Sequence, residues 1–307
     1  MVAVFDKTGR RYASYGRNMR TLTSDSLANA WEFMQLNARL IDRHRFAFHF
    51  RDGAAGPVRS ALAPYRNDDG GFGNGLEPDL RGTSSQPVPA QHALEILLEI
   101  GASGDPMITG ICDHLAAVTA PDGGVPFVLP TVGQDPRAPW WRSPGDPPGS
   151  INPTAALAGL LYRHRIDHPW PAGATTFCWS QLETLTETTP YDARAILRFL
   201  DAVPDRERAE KVFASVREPI LATVTLDLRV TEDAHHPLDF APEPGGFGRR
   251  LFTDALIEEH LDALADGQLD DGGWTVNWYI WTPIAEPEWR GWMTVERLRT
   301  LRAYGRL

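Results

Sequence analysis

Side chains able to do acid–base chemistry gather in one stretch of the chain. Glu77-Pro78-Asp79 is followed by Arg81, Gln86, Gln91 and His92. A carboxyl group there becomes a general acid if burial lifts its pKa toward the working pH. The plainer role for Glu77 and Asp79 is to cap helices or to pair with Arg81. A third acid, Asp192 in Pro190-Tyr191-Asp192, opens a helical pattern. It is either a proton donor or a residue that favours a helix N-terminus electrostatically. His235-His236 lies in an irregular segment, Thr231–Arg250, where a proton shuttle and a solvated loop pair are both open. Cys112-Asp113-His114 combines three metal-ligand types, but consecutive helical positions point in three directions and do not converge on one ion. Cysteine is also commonly just a small buried hydrophobe. Because no His, Cys and carboxylate cluster has ligand spacing, neither a metal nor another cofactor is expected.

Aromatic residues form the second signal. The chain has 10 tryptophans, and Trp274, Trp278, Trp281, Trp289 and Trp292 cluster around Tyr279. Trp140-Trp141 sits in a Pro- and Gly-rich loop, Pro121–Ser150. A loop of roughly 30 residues in a compact domain tends to be a lid or a binding loop. Aromatic faces stabilise carbocations or stack on sugar rings. Trp140, Trp141, Trp278 and Trp281 are therefore candidate substrate-binding residues, together with Gln86 and His92.

Composition narrows the partners. The formal net charge is −10, with the acids spread along the chain, so the surface repels phosphate backbones and anionic lipid. Nucleic acid is not expected as a partner. No apolar run approaches the ~20 residues that span a bilayer, so no integral membrane segment is expected either. The stretch Met1–Arg20 is polar and basic without an apolar core, which predicts a loosely ordered arm and no secretion signal. Two cysteines are too few for a disulfide framework, and the cytoplasm is the natural compartment.

These residues must be positioned by a repeat. Asp69-Gly70-Gly71-Phe72, Asp122-Gly123-Gly124-Val125, Gly245-Gly246-Phe247 and Asp271-Gly272-Gly273-Trp274 are variations on one phrase. The step from Asp69 to Asp122 is 53 residues (122 − 69), and that from Asp122 to Asp271 is 149 (271 − 122), close to three such units. A period of this length usually means stacked supersecondary units. Apolar periodicity predicts helices over Leu27–Arg43, Pro57–Tyr65, Pro87–Ile100, Met107–Val118, Pro153–Tyr162, Thr176–Leu185, Asp192–Leu200, Arg206–Leu221, Phe252–Ala265 and Trp289–Tyr304. Gly101 closes the third as a C′ glycine, and Asn152 with Pro153 starts the fifth as N-cap and first helical residue. Ala222–Val230 alternates and is the one possible strand pair. Helical hairpins of this period either open into a solenoid or close into a ring. About six units consume the chain, and the helices after Gly-Gly carry small residues, as in Ala155-Ala156-Leu157-Ala158-Gly159. Both features favour a closed ring.

The phrases carry a resemblance. Arg66-Asn67-Asp68-Asp69-Gly70-Gly71-Phe72-Gly73-Asn74-Gly75, with Pro78 and the helix after Pro87, resembles the repeat of protein prenyltransferase β subunits. Gln268-Leu269-Asp270-Asp271-Gly272-Gly273-Trp274 resembles the Gln-xxx-Gly-x-Trp phrase of squalene and hopene cyclases. In those enzymes the glutamine caps the outer helix and the tryptophan packs on the turn. The chain is also similar to bacterial proteins labelled prenyltransferase-like. At the level of the repeat the resemblance covers most of the chain. It implies an all-α fold, an α/α toroid of helical hairpins with inner and outer rings, as a single domain over 21–307 after an arm over 1–20.

The departures concern the reagents. Class II cyclases protonate an alkene with Asp-x-Asp-Asp followed by Thr-Ala. Here Ser150-Ile151-Asn152-Pro153-Thr154-Ala155 keeps Thr-Ala and loses every acid, which leaves Asn152 as a substrate-facing candidate. The Asp-x-Cys zinc pair of protein prenyltransferases is missing, and Asp68-Asp69 and Asp270-Asp271 run into Gly-Gly instead of forming Asp-Asp-x-x-Asp. The leading expectation is an isoprenoid-binding, terpene cyclase-like cavity enzyme for an apolar prenyl substrate, with Asp79 or Glu77 as proton donor. A carbohydrate-active α/α-barrel hydrolase or lyase would use two of Glu77, Asp79 and Asp192. A non-enzymatic scaffold is the third reading.

Overall fold

The computed structural model describes Val4–Phe5, Arg11–Tyr12 and residues 19–307. The arm expected over 1–20 lies outside the described residues, apart from an antiparallel pair, β1 (Val4–Phe5) with β2 (Arg11–Tyr12), and its last two positions. Everything that follows is helical. The chain runs through α1 (Ser24–Asn37), α2 (Leu40–Phe50), α3 (Ala55–Leu62), α4 (Pro87–Glu99), α5 (Pro106–Val118), α6 (Ile151–Arg163) and α7 (Trp170–Glu183). It continues through α8 (Pro190–Ala202), α9 (Arg206–Leu221), the one-turn helices α10 (Pro237–Phe240) and α11 (Gly246–Arg249), then α12 (Asp254–Asp266) and α13 (Ala285–Ala303).

Apart from the one-turn α11, these helices make six outer–inner pairs closed into an α/α toroid. Along the inner ring α4 packs on α6, α6 on α8, α8 on α10, and α13 on α2. The two other inner seams are bridged by ion pairs, Arg45 of α2 to Glu99 of α4 and Arg297 of α13 to Asp239 of α10. The tightest seam is α6 against α8. Gly159 has no room for a Cβ because the backbone of Arg198 and Phe199 lies against it, and residues 153–161 of α6 are all buried. The small residues after Gly-Gly serve that crowding.

Three of the four glycine phrases fold identically. In each, the first glycine has positive φ (Gly70 81°, Gly123 90°, Gly272 89°), a backbone state that penalises any Cβ. In each, the aspartate accepts the amide of the second glycine: Asp69 from Gly71 at 2.9 Å, Asp122 from Gly124 at 3.0 Å, Asp271 from Gly273 at 3.1 Å. In each, the turn lies on the next outer helix. A Cβ on Gly70 would run into Gly110 of α5, and one on Gly272 into Asn29 of α1, while Gly123 approaches Gly173 of α7. The second glycine faces the residue four further on, His114, Phe177 or Phe33. The Gly272 turn therefore joins the last outer helix to the first and closes the ring. Gln268 reinforces it by donating to the carbonyls of Ser26 and Gly272, both at 2.8 Å. Trp274 Nε1 donates to the Leu264 carbonyl near the end of α12 at 2.9 Å.

Three expectations are corrected. The helix over Leu27–Arg43 is two helices, because Ala38 and Arg39 are extended (ψ 155° and 154°). The corner is pinned by tertiary contacts: Gly291 of α13 presses on Ala38, and Arg39 Nη1 donates to the carbonyls of Gly75 (3.2 Å) and Leu76 (2.8 Å). Gly245-Gly246 is not a fourth copy of the turn. It lacks the preceding aspartate, and Phe247 donates its amide to Asp201 of α8 at 2.6 Å. Finally, residues 222–230 form turns and irregular chain rather than strands, with Leu226 and Val230 exposed because no sheet edge is there to cover them. Other local signals hold: Gly101 has φ 74°, with the Ala102 amide donating to the Leu97 carbonyl at 2.9 Å.

Gly272→Ala combines positive φ with a backbone clash at the closing seam and should cost about 2–4 kcal/mol or more. Gly104→Ala, with nothing within 4 Å of the new Cβ, should stay within about 1 kcal/mol of the parent. Urea unfolding of the two variants checks the difference.

Candidate functional site

The loop after Gly71 is drawn tight before α4 begins. Asn74 donates its amide to the Gly82 carbonyl at 2.8 Å, Leu76 to Gly73 at 3.1 Å, and Leu80 to Glu77 at 3.0 Å. On its other side Ala138 donates to the Asp79 carbonyl at 2.9 Å, and Arg81 to that of Pro136 at 3.0 Å. These bonds sink Glu77 and Asp79 to 3% exposure each. Neither acid pairs with Arg81, whose guanidinium is held by Glu288 of α13 at 2.5 Å.

Burial pushes the Glu77 carboxyl well above the ordinary range, and its neighbour Asp79 adds to the rise. Glu77 Oε2 lies 3.4 Å from Nδ1 of His92. Burial lowers His92 to about 4, so at neutral pH the imidazole is neutral and the contact is not an ion pair. The Asp79 carboxyl is raised to about 6 by burial, against the pull of the indole N–H groups of Trp289 and Trp281. Neither indole N–H nor Asp79 Oδ1 completes a hydrogen bond among the described residues. Three buried polar groups thus face one another unsatisfied, an arrangement that is costly unless a ligand or water joins them.

An aromatic wall surrounds the pair. His92 lies 4.7 Å from the Trp292 ring and edge-on to Trp289 at 6.5 Å, and Trp278 packs edge-on to Trp289 at 5.2 Å. Trp278 also lines a chamber of about 780 Å³, together with Tyr279, His236, Asp239, His260 and Arg297. The chamber lies where the fifth inner helix is reduced to the single turn of α10. One indole thus links the chamber to the ring that faces Asp79.

The other expected site residues take different places. Gln86 is a clamp: Nε2 donates to Thr131 Oγ1 and Oε1 accepts from the Leu129 amide, both at 2.8 Å, which fastens the 121–150 loop to the start of α4. Trp141 is a core residue at 5% exposure, stacked on Phe127 at 4.8 Å, with Leu80, Val128 and Trp281 around it. Trp140 is the exposed member of the pair, 6.4 Å from Tyr279. Asp192 accepts from the Asn152 amide at 3.1 Å and from the Thr189 hydroxyl at 2.9 Å, so its carboxylate ties the start of α8 to the start of α6. Asn152 itself is extended (φ −96°, ψ 117°) ahead of Pro153, as a residue preceding a helix should be. Thr154 of the retained Thr-Ala accepts from the Val125 amide at 2.8 Å, and Thr294 does the same for Trp274 at 3.3 Å. That threonine latches the glycine turn to the inner helix.

Cys112, Asp113 and His114 diverge. The cysteine is fully buried with its thiol pushed up to about 12 by burial, Asp113 meets His168 at 3.2 Å, and His114 meets Asp69 at 3.4 Å. Sequence reasoning missed the roles of Trp289, Trp292 and Asp239. Only the aromatic clustering pointed toward the first two.

Two solved structures share this architecture. A crystal structure of a protein from Actinoplanes superimposes with a TM-score of 0.59 over 92% of this chain and 99% of its own, at 17% identity. The apo type II terpene cyclase MstE from Scytonema gives a TM-score of 0.51 over 92% and 89% of the two chains, at 13% identity. The fold is therefore the α/α toroid of terpene cyclases. No protein-family model matches the chain, and no curated protein matches it.

A carboxyl whose folded pKa is raised binds protons more tightly in the native state, so its contribution to stability falls as pH rises between the unfolded and folded values. For Asp79 that window runs from about 4 to about 6. Asp79→Asn removes the buried charge and should raise stability at pH 7 by about 1–2 kcal/mol after allowing for solvent screening. The gain should shrink toward zero at pH 4. Thermal melts at the two pH values measure this, and a loss of stability at pH 7 would mean that the ionised carboxylate is a structural partner.

Proposed function

We propose that the toroid is a terpene cyclase-like cavity enzyme that folds an isoprenoid or similarly apolar chain, with the Glu77–Asp79 pair supplying the proton. The observation that carries this reading is the pair itself: two buried carboxyls held above their ordinary range beside the indoles of Trp281 and Trp289. His92 is neutral at neutral pH, so a proton held between the two belongs to the Glu77 carboxyl, which burial pushes well above its ordinary range. Transfer of that proton to an alkene carbon uses the π electron pair to form a C–H bond and leaves a cation on the neighbouring carbon. The faces of Trp278, Trp289 and Trp292 suit that cation. Loss of a proton from the cyclised cation restores the balance, so the reaction is an isomerisation without an oxidant.

The donor would then sit in the loop before α4, not at the start of α6 where the class II acids stand and where this chain has Asn152. Product analysis by gas chromatography after incubation with farnesol, geranylgeraniol and squalene tests the proposal. Asp79→Asn and Glu77→Gln should each lower turnover by about 10²-fold or more. If Asp79 is the donor, turnover should fall as pH rises through about 6. Full turnover in both variants would move the donor role to Asp192.

Binding has its own test. Each buried methylene contributes about 0.8 kcal/mol, so a farnesyl-sized chain should bind at micromolar levels or tighter and change tryptophan emission. The chamber also carries His236, Asp239, His260 and Arg297, and this polar lining favours the carbohydrate reading as the alternative. Emission changes with short oligosaccharides but not with prenyl alcohols would select it. No response to either class would favour a scaffold.

A further inference from the structure

The charged side chains of the inner ring are almost all matched. Arg45 reaches Glu99 and Glu296, both at 2.6 Å, and Arg299 meets the same two acids at 3.0 and 3.1 Å. Arg198 is held by Glu95, and Arg297 by Asp239 at 2.8 Å. Two arginines are not matched: Arg43 of α2, whose Nε is buried without a partner among the described residues, and Arg194 of α8, the one whose neighbours line the chamber. Arg194 lies one helical turn before Arg198 on the same face of α8 and is partly buried. Its guanidinium lies 4.9 Å over the Tyr191 ring, and among the described residues it takes part in no ion pair or hydrogen bond.

Asp239 does not neutralise it. One oxygen of that carboxylate is taken by Arg297, and the other accepts the His236 amide at 2.8 Å. Burial pulls the pKa of Arg194 down, and the like charges of Arg198 and Arg297 add to this, against the attraction of Asp239 and Tyr191. Such a guanidinium is only partly desolvated and has donors left over for a ligand. Asp239 and Arg297, whose charges act on Arg194, also line the 780 Å³ chamber, so Arg194 lies within electrostatic reach of the space a ligand would fill. Tyr191, under the guanidinium, holds the ring of His235 edge-on at 5.0 Å.

We infer that Arg194 is the anchor of an anion subsite, and that the ligand of this ring carries a carboxylate or phosphate group opposite it. Planar guanidinium donors suit either anion in a bidentate pair. The ligand is then an amphiphile, an apolar body with one acidic end, and not a pure hydrocarbon. The apolar body rests on the reading under Proposed function, whereas the anion subsite stands on the charge arrangement alone.

Farnesol, farnesoic acid and farnesyl monophosphate share one chain and differ at its end. Titrated by tryptophan fluorescence, at least one of the two acids should bind about tenfold or more tightly than the alcohol, as a charge-assisted bond predicts. Which acid gains shows whether a carboxylate or a phosphate is the natural group. In Arg194→Gln the preference should collapse to within about twofold, while Arg194→Lys keeps part of it. Equal binding of alcohol and acids, or a preference unchanged in Arg194→Gln, would overturn the subsite and leave the isoprenoid reading standing. If none of the three binds, the isoprenoid reading fails, and the subsite is judged with inorganic phosphate and acetate against chloride at equal ionic strength. A saturable rise in Tm that vanishes in Arg194→Gln supports it, and no rise overturns it. Arg194→Gln should itself melt higher than the parent without ligand, the reverse of what loss of a structural arginine does.

Discussion

The ring depends on one small device, an aspartate that holds a Gly-Gly turn against the next outer helix. The aspartate fixes the second glycine's amide, the first glycine takes positive φ, and the absence of both Cβ atoms lets the turn touch its neighbour's backbone. Because the contact always runs to the following hairpin, three copies of the turn set the spacing of the outer helices around half the circle. The copy at Gly272 meets α1 and so converts a row of hairpins into a closed ring. A Cβ at Gly70 or Gly272, or at any of the second glycines, would press into the neighbouring hairpin, and at Gly123 the positive φ alone disfavours one.

The inner ring follows from that spacing. Where helices approach through small residues, as α6 and α8 do, backbone packs on backbone and the one polar tie among the described residues lies at the helix starts, Asp192 to the Asn152 amide. Where they stand further apart, long charged side chains bridge the gap, and Arg45 is the clearest case. It is fully buried, 4.2 Å over Trp292, and paired with two acids from different helices. Burial alone would raise Glu99, but Arg45 and its other partners hold it below the usual carboxylate range. The same trade between desolvation and pairing comes out oppositely at Glu77 and Asp79, which form no ion pair with an arginine among the described residues and are both pushed above the ordinary carboxylate range. The interior is therefore divided between acids that are matched and acids that are not, and only the second kind has the raised pKa that the proposed proton donor needs.

Much of the fold was legible in the sequence because it is written in local terms. The Asp-Gly-Gly spacing, the small residues of α6 and the Gln268…Trp274 phrase each have a short-range meaning, and each appears in the structure. The break at Ala38 was not legible, since its apolar stripe continues across the corner and the cause, Gly291, lies some 250 residues away. The burial of Glu77 and Asp79 could be expected from their place after Gly71. Their partners could not, because Trp281 and Trp289 come from the far end of the chain. Gln86 and Trp141 looked like ligand contacts for a related reason. Residue type shows that a side chain can bind something, but not that its partner is the protein itself.

The account rests on Asp79 and Glu77 holding protons where ordinary carboxyls have lost them. The direct measurement is a carboxyl ¹³C NMR titration of protein labelled at aspartate and glutamate side chains, with Asp79→Asn and Glu77→Gln as assignments. The account predicts an Asp79 midpoint at about 6 and a Glu77 midpoint well above that of an ordinary glutamate. Midpoints near 4 for both, as in exposed acids, would contradict it.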